Sequence, residues 1–184
     1  LADLDRDDVL HEVPSEGLTY NWPCNSIADI SGNGEEELQE VVAGKTGVHS
    51  GSRAPTLSTD SPTGKSVVNG TNNSGFTLLS DTDADALEGA NGFAWSLWFK
   101  SDTNAGDGQA RIIGRDLSDG WVLVINQTQT GNQNITLYGE PGSEPMGAVA
   151  QGEWHHFCLS EDGNGTISGY VNGELVGTES YTPV

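Results

Sequence analysis

Residues 93–100 read Phe-Ala-Trp-Ser-Leu-Trp-Phe-Lys, with a large apolar side chain at every odd position. A period of two is the signature of a strand with one buried face, here Phe93, Trp95, Leu97 and Phe99. Glu153 to Ser160 alternates in the same way and puts His155, Phe157 and Leu159 on one side. A half-buried strand must be covered by a second layer. Two such strands therefore commit this part of the chain to sheet packed on sheet.

Turn signals divide the chain at strand-length intervals. Asn172-Gly173 between Thr166–Val171 and Glu174–Gly177 is a strong two-residue hairpin signal. Asp162-Gly163-Asn164-Gly165 and Asp29-Ile30-Ser31-Gly32-Asn33-Gly34 are further turns. Additional strands are expected at Gly17–Trp22, Val67-Val68, Phe76–Leu79, Ala110–Gly114, Trp121–Ile125 and Ile135–Tyr138. Glu35 to Val42 is the one stretch that reads as a helical turn, and residues 44–66 read as a long loop. Roughly eight to eleven short strands at this spacing predict an all-β, antiparallel two-sheet β-sandwich. Residues 1–16 are charged and read as an acidic arm or linker, leaving 17–184 as the sandwich.

Charge narrows the partners. The chain carries 27 acidic and 7 basic side chains, a formal charge of −20. Nucleic-acid binding needs clustered Lys and Arg, so this balance argues against it. It argues equally against an anionic membrane surface. No apolar run approaches the ~20 residues of a membrane-spanning helix. The acid is dispersed among Trp, Phe and Tyr in alternating segments, unlike a disordered acidic tail. Many Asp and Glu with few Lys resembles proteins of halophilic archaea and their viruses. At about 1 M salt the Debye length is only ~3 Å and such repulsion is screened.

The order of motifs resembles the laminin-G-like, concanavalin-A-like lectin/glucanase superfamily. The most telling stretch is residues 152–178, in which Trp154, His155, His156, Asp162, Gly163, Tyr170, Val171, Asn172, Gly173, Leu175 and Val176 match a W-H-H strand, a D-G turn and a Y-V-[DN]-G-x-L-V hairpin. FAWSLWFK, RIIGRD and GWVLVI match the strands upstream, and residues 29–34 match an early D-x-S-G-N-G turn. The resemblance implies a jelly-roll sandwich. Family members usually continue with an I-G strand and a G-x-[IL]-D-[ED] strand, which the chain ending at Val184 does not show. The chain opens with Leu. It is thus expected to have been cut, or to be completed by a neighbouring subunit as a homo-oligomer or part of a larger assembly.

Glucanases of this fold use a Glu-x-Asp-x-x-Glu pattern that sets two carboxylates across the sugar. The nearest match is Asp83-Ala-Asp85-Ala-Leu-Glu88, read as a polar loop, so no catalytic role is expected. His155 and His156 are adjacent and must point to opposite faces of a strand, which rules out a two-His metal pair. Gly44-Lys45-Thr46 and Gly64-Lys65-Ser66 resemble the tail of a phosphate loop but lack its first Gly. Calcium is the candidate cofactor, because Asp81, Asp83, Asp85 and Glu88 crowd one segment with hard oxygen donors. Against it, Ala86 stands where a calcium loop carries Gly, so a solvated acidic loop is the alternative.

Glycan binding needs exposed aromatic planes beside amide side chains. Trp98 is out of phase with the buried face, Trp121 opens its strand, and Gln127, Asn132 and Asn134 belong to an amide-rich hairpin loop. These five are the candidate contact residues, with packing on a second face as the alternative. Cys24 and Cys158 are the only cysteines. Joined, they would add about 4 kcal/mol by loop closure and suit an extracellular protein; two buried thiols are the other option. Five N-x-[ST] sequons, at Asn69, Asn72, Asn126, Asn134 and Asn164, permit glycosylation. The expected function is non-catalytic recognition of a cell-surface glycan or glycoprotein, at an extracellular, cell or virion surface. The alternative is a structural virion component such as a spike, turret, fibre or capsid decoration protein of a halophilic host.

Overall fold

A computed structural model describes residues 24, 37–39, 43–50, 55–62, 65–68, 75–88, 92–101, 109–114, 121–126, 131–139 and 142–180. The chain divides into two compact units, residues 1–83 and 84–184. The expected acidic arm, the strand at 17–22 and the turn at 29–34 lie outside the described residues.

Among the described residues of the first unit are the short strands β1 (Glu37–Gln39), β2 (Thr46–Ser50), β3 (Thr56–Ser58), β4 (Ser66–Val68) and β5 (Gly75–Thr77). They form an antiparallel sheet β1-β2-β5 and a separate β3-β4 pair. Glu37–Gln39, the described part of the helical turn expected over 35–42, is therefore a strand, and the long loop expected over 44–66 contains β2 and β3. Three-residue strands carry too little alternation to read from sequence; cross-strand pairing creates them. The β3-β4 connection is held by side chains, with Ser66 Oγ donating to Asp60 O at 2.8 Å and Asp60 N donating to Ser58 Oγ at 3.0 Å.

The helix α1 (Asp81–Glu88) follows, and the division between the units falls within it. Ser80 starts it. Its hydroxyl accepts from Asp83 N at 3.2 Å and donates to Asp83 Oδ2 at 2.7 Å. This Ser-x-x-Asp arrangement resembles a capping box, and Asp81 and Asp83 suit the positive end of the helix dipole.

The second unit is the expected sandwich. Its strands are β6 (Phe93–Lys100), β7 (Gln109–Gly114), β8 (Trp121–Asn126), β9 (Asn132–Gly139), β10 (Gly142–Ala150), β11 (Trp154–Glu161), β12 (Thr166–Val171) and β13 (Glu174–Ser180). Two four-stranded antiparallel sheets result, β10-β9-β8-β7 and β13-β12-β11-β6. The core between them combines Leu123, Ile125, Ile135, Leu137, Met146 and Val149 from the first sheet with Phe93, Phe157, Leu159, Ile167 and Val171 from the second. Trp95, Leu97 and Phe99 pack against it, so the odd positions of β6 face inward as their period requires.

Strand β10 was not expected, because Gly142, Pro145 and Gly147 interrupt its pattern. The structure gives these residues a purpose. The register with β9 slips between Pro145 and Ala148, a β-bulge, with Gly147 at φ 91°. The bulge turns Met146 into the core. There its sulfur fills a slot left by Gly169 and Gly177, which face each other across β12 and β13. A Cβ added at Gly169 would lie 2.7 Å from Met146 Sδ, and one at Gly177 3.0 Å away.

Candidate functional site

The outer face of the β13-β12-β11-β6 sheet carries the side chains that alternate with the core set. In register, Trp98 of β6 lies opposite His156 of β11, and Lys100 lies opposite Trp154. Cys158 stands between Ser96 and Tyr170, and Tyr170 lies opposite Leu175. Trp98 is 44 % exposed and Leu175 57 %, two of the few large apolar side chains left open to solvent.

Trp98 and His156 have ring centroids 5.1 Å apart with planes inclined at 54°. With Trp154, Asn172 and Gly173 they line an open depression of about 590 Å³. The hairpin turn supplies its floor edge. Asn172 at φ 52° and Gly173 at φ 85° are both left-handed, the two-residue turn that the Asn-Gly pair predicts.

A relay of hydrogen bonds fixes the turn against β11. Asn172 Oδ1 accepts from His156 N at 2.9 Å, and Asn172 N donates to His156 O at 2.8 Å. Asn172 Nδ2 donates to His155 Nδ1 at 3.2 Å, and His155 Nε2 lies 3.0 Å from Ala150 O. A carbonyl only accepts, so the His155 proton sits on Nε2 and Nδ1 is left to receive the amide. One buried histidine thus orients the turn from behind, while its neighbour His156 faces out. His156 Nε2 is held 2.7 Å from Ser96 Oγ, which fixes the ring beside Trp98. The adjacent histidines point to opposite faces, as strand geometry demands.

The other predicted residues are placed elsewhere. Asn132 and Asn134 are exposed, but they lie on the outer face of β9, in the opposite sheet from Trp98. The sandwich core separates these two amides from Trp98. Trp121 opens β8 opposite Gly139, and Gln127 lies outside the described residues. Trp154, His156 and Asn172 were legible as strand and turn residues, but only cross-strand register brings them to Trp98.

The expected calcium loop is instead helix α1. Side chains two apart on a helix diverge by roughly 200°, so Asp83 leaves the face shared by Asp81 and Asp85. Asp83 pairs with Lys45 Nζ at 2.7 Å, and this ammonium, followed by Ser80, holds its carboxyl below the usual range. Among the described residues, no three His, Cys, Asp or Glu side chains converge on a point that could hold a metal ion. The same helix removes the glucanase-like pattern from any strand. Acidic groups elsewhere serve the turn after β11: Glu161 accepts from Gly163 N at 3.0 Å and Gly165 N at 2.8 Å, and Asp162 Oδ1 accepts from Asn164 N at 2.8 Å and Thr166 N at 3.1 Å.

Cys24 and Cys158 are each present as a thiol. Burial pushes both above the ordinary thiol range, which makes neither a reactive thiolate. None of the described helices is long and apolar enough to cross a membrane.

Fold and face together define an antiparallel two-sheet sandwich that presents one open aromatic depression. The chain belongs to the concanavalin A-like lectin/glucanases superfamily, whose Laminin G 3 family model matches residues 69–184. A comparison with curated proteins finds no match. Among solved structures, the binding domain of botulinum neurotoxin serotype C1 is similar at 14 % identity and a TM-score of 0.55, covering 79 % of this chain and 36 % of that one. The binding domain of botulinum neurotoxin DC in complex with rat synaptotagmin II is similar at 15 % identity and a TM-score of 0.53, covering 79 % and 37 %. A third structure concerns botulinum neurotoxin type C, whose access to cells depends on interaction with two ganglioside molecules; it is similar at 15 % identity and a TM-score of 0.51, covering 79 % and 36 %. The present chain spans little more than a third of the length of those chains. At this identity the likeness is one of fold.

Proposed function

We propose that this protein is a non-catalytic recognition domain that binds a glycan or glycoprotein on an extracellular surface. The observation that carries the reading is the depression formed by Trp98, Trp154, His156 and Asn172 on the outer face of the sheet. Aromatic planes stack on the C–H faces of sugars, and a rigid sheet holds them without loss of order on binding. Binding domains of similar fold, one in complex with synaptotagmin and one tied to gangliosides, support the same class of partner. The charge of −20 supports a high-salt setting, in which the domain would serve on the surface of a cell or a virion.

The test is a glycan array probed with the full chain in 0.1 M and 1 M salt, each with and without a calcium chelator. Binding to at least one glycan class is expected, reduced tenfold or more by Trp98→Ala, about 1.4 kcal/mol. Loss on chelation would show a calcium requirement. No binding under any of the four conditions would refute the proposal.

A further inference from the structure

We infer that the depression takes a neutral pyranose, stacked by its C–H face on Trp98, in preference to an acidic sugar. The inference rests on the recognition reading above and names the chemistry of its ligand.

The lining decides it. Trp98, Trp154, His156, Asn172 and Gly173 include no carboxylate, no Lys and no Arg. The polar atoms present are mostly committed to the protein. Asn172 spends Oδ1 on His156 N and Nδ2 on His155 Nδ1. Ser96 Oγ is held by His156 Nε2. A carboxylate entering here would lose water without gaining a matched set of donors, which is unfavourable. A neutral hexose asks for less: an apolar ring face needs only a flat partner, and its hydroxyls remain at the open rim, in water.

Charge acts in the same direction. Lys100 is the nearest cation in the register, opposite Trp154. It already interacts with another group. It is also one of 7 basic residues against 27 acidic ones. At 0.1 M salt the Debye length is about 10 Å, and the chain's net charge of −20 disfavours an approaching anion. Trp98 is 44 % exposed, with the His156 ring centroid 5.1 Å away and inclined at 54°, so indole surface remains open to a flat sugar ring.

The experiment is saturation-transfer NMR on the full chain with four probes: methyl β-galactoside, methyl β-glucoside, N-acetylneuraminic acid and glucuronic acid. Transfer to the ring C–H protons of a neutral probe is expected, with a dissociation constant that changes less than twofold between 0.1 M and 1 M NaCl. Trp98→Ala should abolish the transfer, and Trp98→Phe, which keeps a flat ring, should retain part of it. Thermal melting of both variants checks that the fold survives. An acidic probe bound tenfold or more tightly than either neutral one, with the same dependence on Trp98, would overturn the inference and leave glycan recognition standing. Transfer that persists in Trp98→Ala would overturn it by moving the site elsewhere. Silence from all four probes and from the glycan array would overturn the recognition reading itself.

Discussion

Gly92 precedes β6 and sits where the chain passes the turn after β11. Its φ is 100°, and a Cβ built there would lie 2.7 Å from Glu161 O and 3.2 Å from Gly163 N. Both contacts are backbone atoms. They belong to a turn already pinned by the two carboxylate oxygens of Glu161, so it has little freedom to retreat. In Gly92→Ala, the left-handed backbone should cost about 1–2 kcal/mol and the overlap about 1–3 kcal/mol more. Loss of unfolded-state entropy returns about 0.4–1 kcal/mol. Gly152→Ala is the internal control. Its φ is 78°, yet nothing lies within 4 Å of its added Cβ. The two variants share the conformational terms and differ in the overlap. Urea unfolding should therefore show Gly92→Ala less stable than Gly152→Ala by about 1–3 kcal/mol. For a unit of roughly 100 residues this is a melting difference of at least about 4 °C. Equal losses in the two variants would refute the claim that the Glu161 turn is rigid against β6.

Three other outcomes follow from the structure. Met146→Ala should destabilise the sandwich by about 2–5 kcal/mol in chemical denaturation, because it empties the slot above Gly169 and Gly177. Gly169→Ala, which crowds the same sulfur, should cost about 1–3 kcal/mol, and less when combined with Met146→Ala. The Asn164 N–H, followed by that of Thr166, holds the Asp162 carboxyl below its usual range. A carboxyl lowered in the folded state stabilises above its unfolded value and loses that contribution as pH falls through its folded value. The stability gap between wild type and Asp162→Asn, measured by urea midpoints, should be open at pH 7 and close in acid; a gap independent of pH would contradict the assignment. Finally, a chain of charge −20 should melt higher in molar salt than in dilute buffer, and the opposite order would remove the support for a high-salt setting.

Much of the sandwich was legible because its strands are half-buried. Alternation in β6 and β11 reports directly which side chains face the core, and left-handed Asn172-Gly173 announces its own hairpin. The short strands β1 to β3 were not legible, since three to five residues hold too few periods to distinguish a strand from a loop. Helix α1 hid for a related reason: its acidic side chains suggested metal chemistry, while the signal that mattered was Ser80 three residues before Asp83. Strand β10 was masked by the residues that make its bulge.

Composition and local pattern were enough to fix the class of fold and the inward faces of β6 and β11, because these follow from periodicity along one segment; that Trp98 is exposed, and not packed on a second face, was decided by the tertiary structure. The functional face was a different kind of fact. Trp98, Trp154, His156 and Asn172 come from three separate stretches of chain, and their meeting depends on how β6, β11 and β12 align. Asn132 and Asn134 looked equally good as partners, yet the core places them on the far side. Register between strands is set by packing of the whole sandwich, and a single segment carries no record of its neighbour across the sheet.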